Sequence, residues 1–378
     1  MKIFICLLNI LFGISMLPAR ISAQQQGKTS DHEIIDLIPR FAPLRTKSYQ
    51  IVQLTDERVV QRSKETPHSF ATLMGTIPET GTWIRKDADL NGGLVPALFQ
   101  FINGADNHQN PWCQILIRIK KCGITESVSS PGLVSGKMNL SFEFDRLVDA
   151  DTLVLTTYTS TGGYLRSAGE QEQISPAFSK MLANALNSFA SWFEAASAAN
   201  YKLGRAVRIS VVRAESQGDD TLEYRKDQPL IWNDFRERPP ATSRFGAQVF
   251  PIFSFSEHYT VENGVIRVVV RVRAAVARSS CWVKPESRTS YALNHEQRHF
   301  DILAIIAERF IADLKKRNYP LVNFDGEINA LYLAAYHELG KEEDLYDRVS
   351  DHGQNTSEQE RWNLKIDRAL SGLSSGPL

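Results

Sequence analysis

The sequence runs to 378 residues with 43 basic and 43 acidic side chains, and 43% of it is hydrophobic. That is more than one average domain needs and enough to bury two sizeable cores. A net charge of zero gives no sign of a nucleic-acid binder, or of a protein held to an anionic membrane by its overall charge.

Lys2 precedes an apolar run at 3–17 that is too short to span a bilayer, and Ile-Ser-Ala at 21–23 offers a cleavage site. Residues 1–23 therefore read as a secretory signal peptide. Cys6 lies inside the run, too early to carry a lipid after cleavage. No later run approaches membrane-spanning length. The expectation is an exported protein, periplasmic or extracellular, with no integral membrane span. Cys113 and Cys122 either close a hairpin-like loop across "CQILIRIKKC" or stay reduced, and Cys281 is left as a buried apolar thiol.

Residues 24–205 read as an N-terminal α+β domain of unknown role. Residues 24–50 are polar and expected to be loosely ordered. "QILIRIK" and "MNLSFEFDRL" alternate apolar and polar residues, "DTLVLTTYTS" is rich in β-branched ones, and all three are predicted strands. Gly and Ser clusters at 123–137 and 160–169 are predicted to separate them. One long helix follows in "SPAFSKMLANALNSFASWFEAA", with Ser175 as its cap and Pro176 at its first helical position. Phe178, Leu182, Leu186, Phe189 and Phe193 form its core-facing stripe.

Residues 206–378 read as a second α+β domain. "AVRISVV" is a strand. "FGAQVFPIFSFSEHYT" and "GVIRVVVRVRAAVA" are two more, joined by a turn at Asn263-Gly264, with Arg267, Arg271 and Arg273 on a wet face. Helices are predicted over 287–316, 325–343 and 356–371. "LYDRVSDHGQNT" is expected to be irregular.

The first of these helices contains His295-Glu296-x-x-His299. Two imidazoles four residues apart project from one helical face, and zinc takes imidazole nitrogen readily. Glu296 is placed to take a proton from a metal-bound water. Frequency counting gives about 0.01 such matches by chance in a chain of this composition. The histidines share a face with Leu303, Ile306 and Phe310, where an imidazole pair without a partner is costly. A third ligand must come from elsewhere. Glu308 is too far along the same helix. The candidates are His337, Glu338, Asp347, Asp351 and His352. His352 is preferred and Asp347 comes second, because "YDRVSDHG" is dense in ligand-type residues and Gly353 allows a tight turn. Without any metal, Asn355 and Thr356 in this segment can cap the last helix.

Three segments, "LIWNDFRERPP", "LNHEQRHFDIL" and "YDRVSDHGQNTSEQERWN", occur in this order. They carry Trp232, Asp234 and Phe235; then His295, Glu296, His299, Phe300 and Asp301; then Tyr346, Asp347, His352, Gly353, Gln359, Trp362 and Asn363. Over 206–378 the chain thereby resembles an uncharacterised bacterial family of predicted secreted zinc-dependent proteases, a domain of unknown function. The resemblance implies a zincin-like fold and a peptide or protein substrate. The expected roles are His295, His299 and His352 (alternatively Asp347) as Zn2+ ligands, Glu296 as general base, and Tyr346 as a donor to the oxyanion or a packing residue. Asp301 is expected to orient an imidazole or bind a nearby backbone group. "VIRVVVRV" either pairs with an extended substrate beside the cleft or lies inside its sheet. The alternative from another class is a non-catalytic exported binding or assembly protein with a structural zinc site.

Overall fold

A computed structural model describes residues 32–41, 48–58, 69–77, 79–104, 111–215 and 218–373. The signal peptide expected at 1–23 lies outside them. The architecture is mixed α+β.

The first part of the chain runs through β1 (Glu33–Ile35), β2 (Tyr49–Asp56), β3 (Ala71–Thr76), β4 (Trp83–Leu90) and the short helix α1 (Leu94–Asn103). Three long strands follow, β5 (Cys113–Ser130), β6 (Leu133–Val148) and β7 (Asp151–Ser167), then helix α2 (Ile174–Ala196). All seven strands form one sheet in the order β1-β4-β3-β5-β6-β7, with β2 pairing a further stretch of β5. β1 pairs in parallel with β4, so Glu33–Ile35 lies in the sheet although the polarity of the stretch around it suggested loose order. α1 is a second helix that the sequence reading did not contain.

The Gly and Ser cluster at 123–137 contains the turn between β5 and β6, as expected, but most of both clusters lies within the strands. The turns fall at Gly132 and Asp149, both with positive φ. Gly136 stands opposite Tyr164, and a Cβ there would come within 2.2 Å of the tyrosine ring. These glycines make room for packing across strands, which composition alone cannot distinguish from a turn signal. Cys113 and Cys122 occupy one continuous strand and are both free. Nine residues of extended chain separate their Cα atoms by roughly 30 Å, far beyond disulfide reach.

The α2 stripe packs on the sheet as expected. Phe178, Leu182, Leu186, Phe189 and Phe193 are buried, and Phe189 stacks on Phe144 of β6 at 4.0 Å. Burying such side chains stabilises the fold by about 1.5–3 kcal/mol each. Ser175 is not the cap. The helix begins at Ile174, continuing a 3-10 turn over Gln171–Gln173.

A separate core begins after Leu203. Its strands are β8 (Ala206–Arg213), β9 (Thr221–Glu223), β10 (Ala247–Gln248), β11 (Pro251–Glu262), β12 (Val265–Ala277) and β13 (Trp282–Val283). The Asn263-Gly264 turn joins β11 to β12, both residues having positive φ. β12 is flanked by β11 on one side and by β8 and β9 on the other. "VIRVVVRV" is thus an inner strand with no free edge for a substrate.

Three helices complete this part: α3 (Ser290–Lys316), α4 (Phe324–Ser350) and α5 (Thr356–Leu373). Thr289 caps α3, its hydroxyl accepting from the Ala292 amide at 3.1 Å. α3 rests on β11 and β12, with Phe310 against Phe253 and Phe255, and α4 and α5 cover its other side. α4 runs seven residues past the predicted end at 343, so Tyr346 and Asp347 are helical and not in a loop. Asn355 accepts from the Glu358 amide at the start of α5.

Candidate metal centre

The register of α3 turns His295, Glu296 and His299 towards a cleft of about 650 Å3, and all three are buried at its floor. The last turn of α4 brings Asp347 over them. Asp347 Oδ1 lies 3.3 Å from His295 Nε2 and 3.0 Å from His299 Nε2. One donor atom from each of His295, His299 and Asp347 falls within 4.8 Å of the others. Ligands about 2 Å from a tetrahedral ion stand roughly 3.3 Å apart, so these two spacings suit zinc. The chemistry of the donor set, two imidazoles and a carboxylate, fits as well.

His352 is adjacent but outside this triad. Asp351, His352 and Gly353 all have positive φ, and this turn lays the His352 ring against Phe245 at 4.7 Å. Its Nδ1 is 3.5 Å from Asp347 Oδ2. Of the other candidates, Glu308 pairs with Arg213, Glu338 pairs with Arg309, and His337 and Asp351 are exposed away from the triad.

Each imidazole is oriented from behind. His295 Nδ1 meets Gln359 Oε1 at 3.0 Å. Gln359 is fully buried and also donates to the Tyr346 hydroxyl at 2.6 Å. Glu343 Oε1 stands 3.8 Å from His299 Nδ1. Gly353 approaches the His295 ring so closely that a Cβ would sit 3.2 Å from it. Gln359 was visible in the sequence only as part of a resemblance. Glu343 was missed because α4 was expected to end there. Its place one turn before Asp347 would have flagged it on a longer helix.

The electrostatics follow from this crowding. Burial holds the Glu296 carboxyl above the usual carboxylate range, although both imidazoles and the Val249 amide act against it. Glu296 Oε2 accepts from that amide at 2.7 Å. Burial penalises the charged form of His299, but its hydrogen bond to Asp347 and the Glu343 carboxylate 3.8 Å away outweigh this, and its pKa is pushed up to about 10. Burial acts likewise against Asp347 ionisation, yet hydrogen bonds from His295 and His299 hold its carboxyl well below the usual range.

Tyr346 does not reach the cleft. It is fully buried behind His295, stacked on that ring at 4.9 Å, with its hydroxyl engaged by Gln359. Its surroundings are those of a packing and positioning residue. Asp301 touches neither an imidazole nor the backbone. It accepts from Arg298 at 2.9 Å, Gln297 at 2.8 Å and Tyr224 at 3.0 Å. Trp232, Asp234 and Phe235 also stand away from the cleft, Asp234 closing its own 3-10 turn through the Ile231 amide. Cys281 is buried between Ala277 and Phe250, and its thiol pKa is pushed up to about 11 by burial.

No family model and no curated protein matches this sequence. Among solved structures, the chain is similar to a protein of family DUF330 from Xanthomonas campestris. The match has 13% identity, covers 43% of this chain and 94% of that one, and has a TM-score of 0.26. A likeness that slight carries no argument about fold or chemistry. Among the described residues, no helix is long and apolar enough to cross a membrane.

Proposed function

We infer that the chain is an exported zinc-dependent peptidase whose 206–378 part is zincin-like. One observation carries this reading: His295, His299 and Asp347 converge beside Glu296 at the floor of an open cleft. Three donors leave a position for water or substrate, whereas structural zinc is usually closed by four protein ligands. Zinc bound there would supply Lewis-acid polarisation and a more acidic water. Asp347 takes the third-ligand role in this reading, ahead of His352.

The remaining chemistry belongs to the side chains. Glu296 has Oε2 engaged by Val249, which leaves Oε1 to accept a proton from the attacking water. Burial, which raises its pKa, makes it a stronger proton acceptor than a free carboxylate. His352 faces Asp347 through Nδ1 at the cleft wall, and in its imidazolium form its Nε2 would donate to a developing oxyanion. Gln359 holds the His295 tautomer that presents Nε2 to the centre.

Glu296→Gln tests the reading. The amide cannot take a proton, so the variant should hold zinc stoichiometrically and lose about 10²–10⁴-fold in cleavage of a peptide library. Equal cleavage by both proteins would rule Glu296 out as the base. A wild-type protein that keeps zinc and cleaves nothing would favour the structural-zinc alternative.

A further inference from the structure

The far end of α3 carries a second concave site. Lys315 and Lys316 close the last turn of the helix, Arg317 follows as its C-cap, and Arg205 and Arg208 stand at the start of β8. These five cations line a cleft of about 420 Å3 that has no carboxylate in its wall. Arg317 is paired with Glu327, and Arg205 donates to the Asn263 carbonyl at 2.7 Å. Arg208, Lys315 and Lys316 make no ion pair with any described carboxylate. Arg208 stands opposite Arg267 on β12, whose charge is answered by Glu262 at 2.9 Å, so Arg208 is left without a carboxylate of its own.

The helix C-terminus, with its partial negative charge, accounts for a lysine or two. It does not account for the two arginines brought from β8, nor for their gathering around one cavity. In a chain of zero net charge, this cluster makes a local positive field that the average hides. Guanidinium and ammonium groups lining one cavity suit phosphate oxygens, which accept several charge-assisted hydrogen bonds at once. We propose that this cleft binds a phosphate-bearing ligand, either a free polyphosphate anion or an anionic phospholipid headgroup. Lys315 lies roughly 24 Å along the helix from His299, so a ligand here leaves the metal cleft open.

The test uses the full metal-loaded chain and two probes. Pyrophosphate is titrated by calorimetry. Vesicles of phosphatidylglycerol in phosphatidylcholine are co-sedimented, with pure phosphatidylcholine as the blank. Arg208→Gln/Lys315→Gln/Lys316→Gln is compared with Arg85→Gln/Lys137→Gln/Lys180→Gln, which removes the same charge elsewhere. The wild type should bind at least one probe at about 0.05 M salt and release it at about 0.5 M. The cleft variant should bind about tenfold more weakly, and the control should match wild type. Binding of pyrophosphate alone identifies a free phosphate source, and binding of vesicles alone a lipid. If the cleft variant does not fold, Lys316→Glu is set against Lys137→Glu. Three results overturn the proposal: neither probe binds, both triple variants weaken equally, or pyrophosphate binding survives intact in the cleft variant because it resides at the metal centre.

Discussion

Both parts of the molecule bury charge, and they do it in opposite ways. In the N-terminal sheet, Arg166 and Glu126 are fully buried against each other. Arg166 also donates to the Met74, Ser167 and Ala168 carbonyls, and Glu126 accepts from Tyr164 and the Met74 amide. The network closes on itself and lines neither of the clefts described above. At the floor of the α3 cleft, His295, Glu296 and His299 are almost as buried, but their polar atoms converge on open space beneath Asp347. Burial alone does not mark a functional site. What separates the two is whether the buried groups spend their hydrogen bonds on one another or aim them at a common point.

The contrast is most sharply tested by removing one group from each. Asp347→Ala should all but abolish zinc binding, whereas His352→Ala should keep the metal and lose activity. Chelator competition on both variants, with circular dichroism to exclude unfolding, checks this. Zinc lost from His352→Ala and retained by Asp347→Ala would exchange the two roles. Arg166→Ala should leave zinc affinity untouched and destabilise the N-terminal part by about 3–5 kcal/mol, the cost of an uncompensated buried charge. Urea unfolding measures it, and a change below about 1 kcal/mol would remove the closed network from the comparison.

A smaller effect belongs to Gln359, which touches both Tyr346 and His295. Gln359→Leu should weaken zinc by about 10–100-fold while the protein remains folded. Unchanged affinity would mean that the His295 tautomer is set elsewhere. A separate effect is on pH dependence in EDTA-treated protein. His299 has a folded pKa of about 10 against an ordinary value of 6.5. A raised folded pKa contributes stability that is fully present below about 6.5 and is lost as pH rises through about 10. The urea midpoint should therefore fall over that window, and Asp347→Asn should flatten the slope.

The legible parts of the sequence were those with a strong period or a strong motif. The α2 stripe, the Asn263-Gly264 hairpin and the HExxH face on α3 all follow from local spacing. The end of α4 did not. "LYDRVS" contains no helix breaker, and its polar residues looked like a loop because they are ligands and partners instead of core. That error moved Asp347 off its helix and hid Glu343. Glycines were misread for a related reason: Gly136 serves Tyr164 across the sheet, a tertiary requirement with no local signature. The cationic cleft was invisible because Arg205 and Lys315 meet only after folding.

β7 is the last strand of its sheet, 17 residues long, and carries no charged side chain from Thr152 to Leu165. Among the described residues, the Lys202 ammonium covers one of its carbonyls, that of Val154, at 2.6 Å. An extended edge without charge or proline is a template on which another strand can lay down its own amides. The colloidal behaviour of the protein should be governed by this margin: at high concentration, association through β7 can begin while both cores are still intact. Loss of material on storage would then report on an exposed seam rather than on low folding stability.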